Sequence, residues 1–133
     1  MNPIYIKEDY SGLREAIGAF CPDRIFVVCD RAVAHLVPRL GLDAAVLELE
    51  ASEEKKSLRT VEEICRALLE GGADRKSFVL ALGGGIISDM AGFAASIYMR
   101  GIRFAYVPTT LLAMTDAAIG GKTGVNFLSY KNI

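Results

Sequence analysis

Phe78-Val79-Leu80-Ala81-Leu82-Gly83-Gly84-Gly85-Ile86-Ile87-Ser88-Asp89-Met90-Ala91-Gly92-Phe93 is the stretch on which the fold turns. Five apolar residues run straight into three glycines. An apolar run of that length, with no polar alternation, fits a strand covered on both faces, as in a parallel sheet. The glycines mark a tight turn, and a helix is predicted from about Ser88 to Met99. Its small residues Ala91, Gly92, Ala94 and Ala95 let it lie close against a sheet.

The same grammar recurs on either side. Ile25 to Cys29 is a second continuous apolar run, closed by Asp30, at the strand end where open α/β sheets bind ligands. Ala44 to Leu49 and Phe104 to Val107 read as further strands, and Ile4 to Ile6 as a short first one. Helical spacing appears in Leu13, Ala16, Ile17 and Phe20, and in Leu58, Val61, Ile64, Cys65, Leu68 and Leu69. Ser57 is placed to cap the latter helix, and Gly71-Gly72 to stop it. A short helix is expected over Ala32 to Leu36, closed by Pro38, with His35 on its surface. Strands alternating with helices predict an α/β domain with a largely parallel, Rossmann-like sheet flanked by helices.

Bulk properties narrow the function. The 133 residues, 52% apolar and 23% charged, suit one globular domain with a real core. A net charge of −1 without a basic block argues against a nucleic-acid surface. No apolar run approaches the roughly 20 residues that span a bilayer, and the N-terminus does not read as a signal peptide. Cys21, Cys29 and Cys65 form no CxxC and are expected to be thiols packed as small apolar groups, as in a cytoplasmic protein. A single histidine does not build a metal site alone.

Two segments could carry chemistry. The glycines before a helix would let phosphates approach backbone N–H groups at a positive dipole end, though a tight strand-to-helix turn is the simpler alternative. Gly83 to Ser88 approximates GxGxxG with Ser in the third place, and the acid usually found about 20 residues later is absent. Asp30 could take its ribose-binding role from before the glycines. Asp89, expected in the helix's first turn, either complements the dipole or bonds a ligand. The second segment, Pro108-Thr109-Thr110-Leu111-Leu112-Ala113-Met114-Thr115-Asp116-Ala117-Ala118-Ile119-Gly120-Gly121-Lys122-Thr123-Gly124-Val125-Asn126, offers hydroxyls, a carboxylate, an ammonium and an amide in one path. Gly121-Lys122-Thr123 invites a phosphate-loop reading, but Asp116 stands where that motif needs its first glycine and would repel phosphate.

Taken together, the run Gly83 to Phe93, Met99-Arg100-Gly101-Ile102, Pro108 to Leu112, Asp116 to Asn126 and Lys131-Asn132 resembles the 3-dehydroquinate synthase family of sugar phosphate cyclases. The match is dense from Leu80 to Ile133 and thinner before it. The resemblance implies an NAD-binding α/β domain, followed in the family by a helical domain, with the active site in the cleft. By position it implies that Asp30, Glu53 and Lys56 hold the adenosine end of NAD. Gly84, Gly85, Ile86 and Asp89 would hold its pyrophosphate and neighbouring ribose, with Thr109 and Thr110 nearby. Asp116, Lys122, Lys131 and Asn132 would contact substrate or its surroundings, Lys122 and Lys131 reaching the cofactor too. Arg100 would reach the substrate phosphate across a homodimer.

The implied reaction converts 3-deoxy-D-arabino-heptulosonate 7-phosphate to 3-dehydroquinate and phosphate, with NAD reduced and reoxidised in each turnover. The family's metal ligands for zinc or cobalt, a glutamate and two histidines, have no counterpart in this chain. Residues 1–133 are therefore expected to be the NAD-binding part of a longer enzyme, without turnover alone. The alternatives are a metal-dependent polyol or alcohol dehydrogenase, another sugar phosphate cyclase, or a phosphate-loop nucleotide-binding module.

Overall fold

A strand buried along its whole length needs neighbours on both edges and cover on both faces. Phe78–Gly83 (β3) has both in the computed structural model, which describes residues 9–114 and 122–133. Ile25–Asp30 (β1) pairs with one edge of β3 and Arg103–Pro108 (β4) with the other, while Ala45–Leu49 (β2) lies outside β1. All pairings are parallel, in the order β2-β1-β3-β4. The chain therefore steps outward from β1 to β2, then crosses back to β3 on the other side. The sheet's topological switch lies between β1 and β3.

The apolar runs divide by the two-residue period of a strand. Phe26, Val28, Val79 and Ala81 face Leu58–Glu70 (α2) and Gly85–Ile97 (α3), against Val61, Ile64, Leu68, Ile87, Met90 and Ala91. Val27, Cys29, Phe78, Leu80 and Leu82 face the other way, onto Leu13–Gly18 (α1) and the 3-10 helix Arg31–Leu40. The sheet thus lies between two apolar layers, and the Rossmann-like α/β expectation holds.

Local signals explain most element ends. Ser57 Oγ accepts from the Thr60 N–H at 3.3 Å and starts α2. Gly72, at φ 76, ends it: the Ala73 N–H donates to Leu68 O and the Gly72 N–H to Leu69 O, at 2.9 and 3.1 Å. Three helices differ in their bounds from expectation. Helix α1 is shorter than Ser11 to Phe20, beginning after Gly12 at φ 80. The segment after β1 is 3-10, runs through Pro38 and stops at Gly41 with φ 67, so the left-handed glycine and not the proline ends it. Helix α3 begins at Gly85, three residues before the expected Ser88, because the chain enters it directly from the glycine turn. The expected strand at Ile4 to Ile6 lies outside the described residues.

Candidate functional site

Three chain segments meet at the carboxyl edge of the sheet. The first is the glycine turn. Gly84 is extended and precedes α3 with no side-chain cap, so the helix's first N–H groups, which lack intrahelical partners, are left to an external acceptor. A Cβ on Gly83 would lie 3.3 Å from the Asp30 Cβ, so the root of the Asp30 side chain, at the end of β1, adjoins the turn across the switch point. A Cβ on Gly84 would lie 3.1 Å from the Thr110 methyl. The Thr109 N–H donates to Gly83 O at 2.9 Å, fixing the loop after β4 beside the turn. Asp30 Oδ1 also accepts from the Ala32 N–H at 3.0 Å, which starts the 3-10 helix and orients the carboxylate.

The second segment is the charged loop before α2. Its Lys56 is only 5% exposed, unusual for a lysine, and is compensated by Asp89: Nζ to Oδ2 is 2.6 Å. Asp89 is in the second turn of α3, not the first, because the helix starts early. Its charge is therefore engaged by Lys56 and is not placed to complement the helix dipole. Lys56 Nζ also donates to Asn132 Oδ1. Two shallow clefts, about 260 and 180 Å³, open beside this loop, both bounded by Lys55, Thr60 and Glu63, and the second also by Arg31.

The third segment, 122–133, lies across α3 towards α2. Thr123 sits over Gly92, where a Cβ would come within 2.6 Å of the threonine methyl and 2.4 Å of the Tyr106 hydroxyl. Only a glycine at 92 lets β4 and this segment approach the helix so closely. Val125 is buried in the core layer. Asn126 then forms a bridge with Ser57, its N–H donating to Lys56 O at 2.9 Å.

The sequence-derived candidates thus fall into groups. Asp30, Gly84, Gly85, Ile86, Thr109 and Thr110 gather at the switch point, while Lys56, Asp89, Glu53 and Asn132 are linked through hydrogen bonds and the ion pair. Lys122 and Lys131 are exposed on the third segment. Asp116 lies outside the described residues. Arg100 is not brought to this cluster: it is exposed at the opposite end of α3, beside the start of β4. Cys21 is exposed, whereas Cys29 is packed in the core as expected. Sequence reasoning gave Asn126 and Tyr106 no individual role and read Gly92 only as one of the small residues that let α3 lie close against the sheet. Only the pairing of distant segments reveals them, and no local motif does.

A parallel sheet with a glycine turn and an acidic residue facing each other at its switch point defines a Rossmann-like α/β domain of the kind that binds nucleotides there. Within that class the chain belongs to the 3-dehydroquinate synthase N-terminal family, whose model matches residues 46–133. It is 58% identical over 93 residues to the 3-dehydroquinate synthase of Gloeobacter violaceus, covering 70% of this chain and 26% of that protein. It is 44% identical over 136 residues to that of Geobacter metallireducens, covering 92% of this chain and 38% of that one. The chain therefore spans between a quarter and two fifths of the length of these curated relatives. Among solved structures, a 2-deoxy-scyllo-inosose synthase complexed with carbaglucose-6-phosphate, NAD+ and Co2+ superposes with a TM-score of 0.84. The two share 30% identity, over 96% of this chain and 37% of that one.

Proposed function

We propose that this chain is the NAD-binding part of a 3-dehydroquinate synthase, acting in the shikimate route to aromatic amino acids. The enzyme would release phosphate from 3-deoxy-D-arabino-heptulosonate 7-phosphate and form 3-dehydroquinate. The observation that carries the nucleotide reading is the uncapped start of α3 at Gly84, facing Asp30 across the switch point. The named relatives carry the choice of reaction.

The residues present fit NAD. A diphosphate needs close backbone approach, which Gly84 and Gly85 would supply, and at Gly84 a Cβ would crowd Thr110. In this reading Gly84, Gly85 and Ile86 hold the pyrophosphate through the backbone. Asp30 and Glu53 accept from ribose hydroxyls, and Lys56, fixed by Asp89, presents a cation to the cofactor. Thr109 and Thr110 close the turn from the β4 side. Bound NAD would supply a transient hydride acceptor. Asp116, Lys122, Lys131 and Asn132 would bind and orient the substrate beside it, the two ammonium groups balancing its negative charge.

Arg100, exposed and remote from its own chain's cluster, would serve the substrate phosphate in the second subunit of a homodimer. Zinc or cobalt enters only as a property of the longer enzyme. Among the described residues no group of three or more His, Cys, Asp or Glu side chains is placed to hold a metal ion. No helix among these residues is long and apolar enough to cross a membrane, which is compatible with the cytoplasmic location proposed for such an enzyme.

The deciding assay follows phosphate released from the seven-carbon substrate by the product of the whole reading frame, with catalytic NAD and zinc. Phosphate release without NADH accumulation supports the synthase. NADH accumulating with simple polyols, without phosphate, would replace it by a dehydrogenase. The 133-residue chain alone is expected to show no turnover, and a clear rate from it would overturn that part.

A further inference from the structure

Asn126 uses its backbone N–H and both ends of its side-chain amide to join segments, one of them far away in sequence. Its backbone N–H donates to Lys56 O at 2.9 Å. Its side-chain Nδ2 donates to Glu53 Oε2 at 2.9 Å and to Glu53 O at 3.3 Å. Its Oδ1 accepts from the Asn132 N–H at 3.0 Å. The orientation of the amide follows from chemistry: a carboxylate only accepts and a backbone N–H only donates, so the NH2 must face Glu53 and the oxygen Asn132. Asn132 closes the ring by accepting from Lys56 Nζ, which in turn pairs with Asp89 on α3.

We infer that Asn126 is a positioning residue that clasps the Glu53–Lys56 loop to the Lys131–Asn132 segment, so that order at one is transmitted to the other. This deepens the proposed nucleotide reading: the loop carries cofactor-side residues and the segment carries substrate-side residues. Cofactor held by the loop would thereby steady the segment that receives substrate. Glutamine in place of Asn126 adds a methylene, aspartate removes the donor and meets the Glu53 carboxylate with like charge, and alanine removes both arms. The two halves of the amide can therefore be tested separately.

The test is amide hydrogen exchange on the purified protein, with and without NAD, in wild type and in Asn126→Ala, Asn126→Asp, Glu53→Gln and the Asn126→Asp/Glu53→Gln double variant. Without NAD, Asn126→Ala should speed exchange at Asn132 and across Lys55–Ser57 by roughly tenfold, the scale of losing one hydrogen bond that involves a charged group. Asn126→Asp should retain the Asn132 arm and loosen the 53–57 loop. In the double variant the introduced glutamine can donate to the introduced carboxylate, so protection of the loop should return to the Glu53→Gln level. Generic destabilisation would not produce that rescue. With NAD, protection should extend into 127–132 in wild type and stop at the loop in Asn126→Ala. Unchanged exchange in Asn126→Ala, or no rescue in the double variant, would overturn the clasp. If the NAD-free pattern holds but NAD protects nothing even in wild type, the nucleotide reading fails and the claimed transmission of order fails with it, while the clasp between segments stands.

Discussion

At its start, α3 leaves β3 through Gly83 and Gly84 with no side chain capping its first turn, and Lys56 reaches in to pair with Asp89 one turn further on. At its far end, thirteen helical residues later, the chain turns through Met99 at φ 47 and Arg100 at φ 70 before Gly101 at φ 110. The first end uses glycines to leave backbone accessible and sets its charges in a buried network. The second places two adjacent non-glycine residues in the left-handed region, where a Cβ is disfavoured, and leaves its arginine in solvent. Strain of this kind persists only where the surroundings impose it and points to a use for the side chain held there. One helix thus separates two demands: an open, electrostatically organised end, and a strained end that projects a cation outward.

The largest expected effect comes from breaking the first end. Lys56→Met removes a nearly buried cation and leaves the Asp89 carboxylate, 21% exposed, without its partner. Stability should fall by about 2–3 kcal/mol, short of the full cost of a wholly buried orphan charge because water still reaches Asp89. Lys56→Met/Asp89→Leu should recover most of it, since no unpaired charge remains. Urea unfolding midpoints measure both, and a Lys56→Met protein as stable as wild type would remove the contrast between the two ends.

Sharpening the other end gives a smaller change of opposite sign. Arg100→Gly relieves the left-handed penalty, partly offset by the greater freedom of glycine in the unfolded chain, and should stabilise by about 1 kcal/mol. In the whole enzyme the same substitution should depress phosphate release. A gain in stability with unchanged activity would mean that the strain serves no cation, and a loss of stability would mean that the arginine's own contacts outweigh the strain.

The smallest effect concerns the side of α3 between its ends. Burial, reinforced by the Asp89 carboxylate, pushes the Tyr106 hydroxyl up to about 12 from its ordinary 10. Burial, with Glu48 and Asp30, likewise pushes the Cys29 thiol up to about 11 from 9. Both neutral forms are favoured by the fold. The unfolded chain therefore loses these protons first, and stability should decline as pH rises from about 9 to 12. The Tyr106 hydroxyl has no hydrogen-bond partner among the described residues. Tyr106→Phe should therefore change stability at neutral pH by less than about 0.5 kcal/mol while flattening the decline between about pH 10 and 12. Melting temperatures across that range decide it, and an equally steep decline in the variant would place the titration elsewhere.

Legibility differed between fold and site for a physical reason. The strands that begin at Ile25, Ala45, Phe78 and Arg103 announced themselves through apolar runs, most clearly where a strand buried on both faces must be apolar at every position. Ser57 and Gly71-Gly72 marked the ends of α2 because capping chemistry is local. The start of α3 lies three residues before the expected Ser88, since a glycine turn can enter a helix without a capping side chain, and Asp89, open between the dipole and a ligand on sequence alone, falls in the second turn and pairs with Lys56. The motif-bearing residues were legible as a set, but their grouping was not. The helix expected from Ser88 to Met99 already separates Arg100 from Gly84 by a helix length, whereas nothing near Asn126 says that it meets Glu53.

The sequence by itself determined the alternation of buried strands and amphipathic helices, the glycine turn, the inventory of polar groups and, through its motifs, the family. These depend on periodicity and short-range chemistry, which a linear chain displays. Only the tertiary structure decided that Asp30 faces the glycine turn, that Lys56 is held between Asp89 and Asn132, and that Asn126 joins its own segment to a loop 73 positions away. Those relations depend on strand order and on close approach over Gly92, and both are set by how the layers pack rather than by any residue's neighbours in the chain.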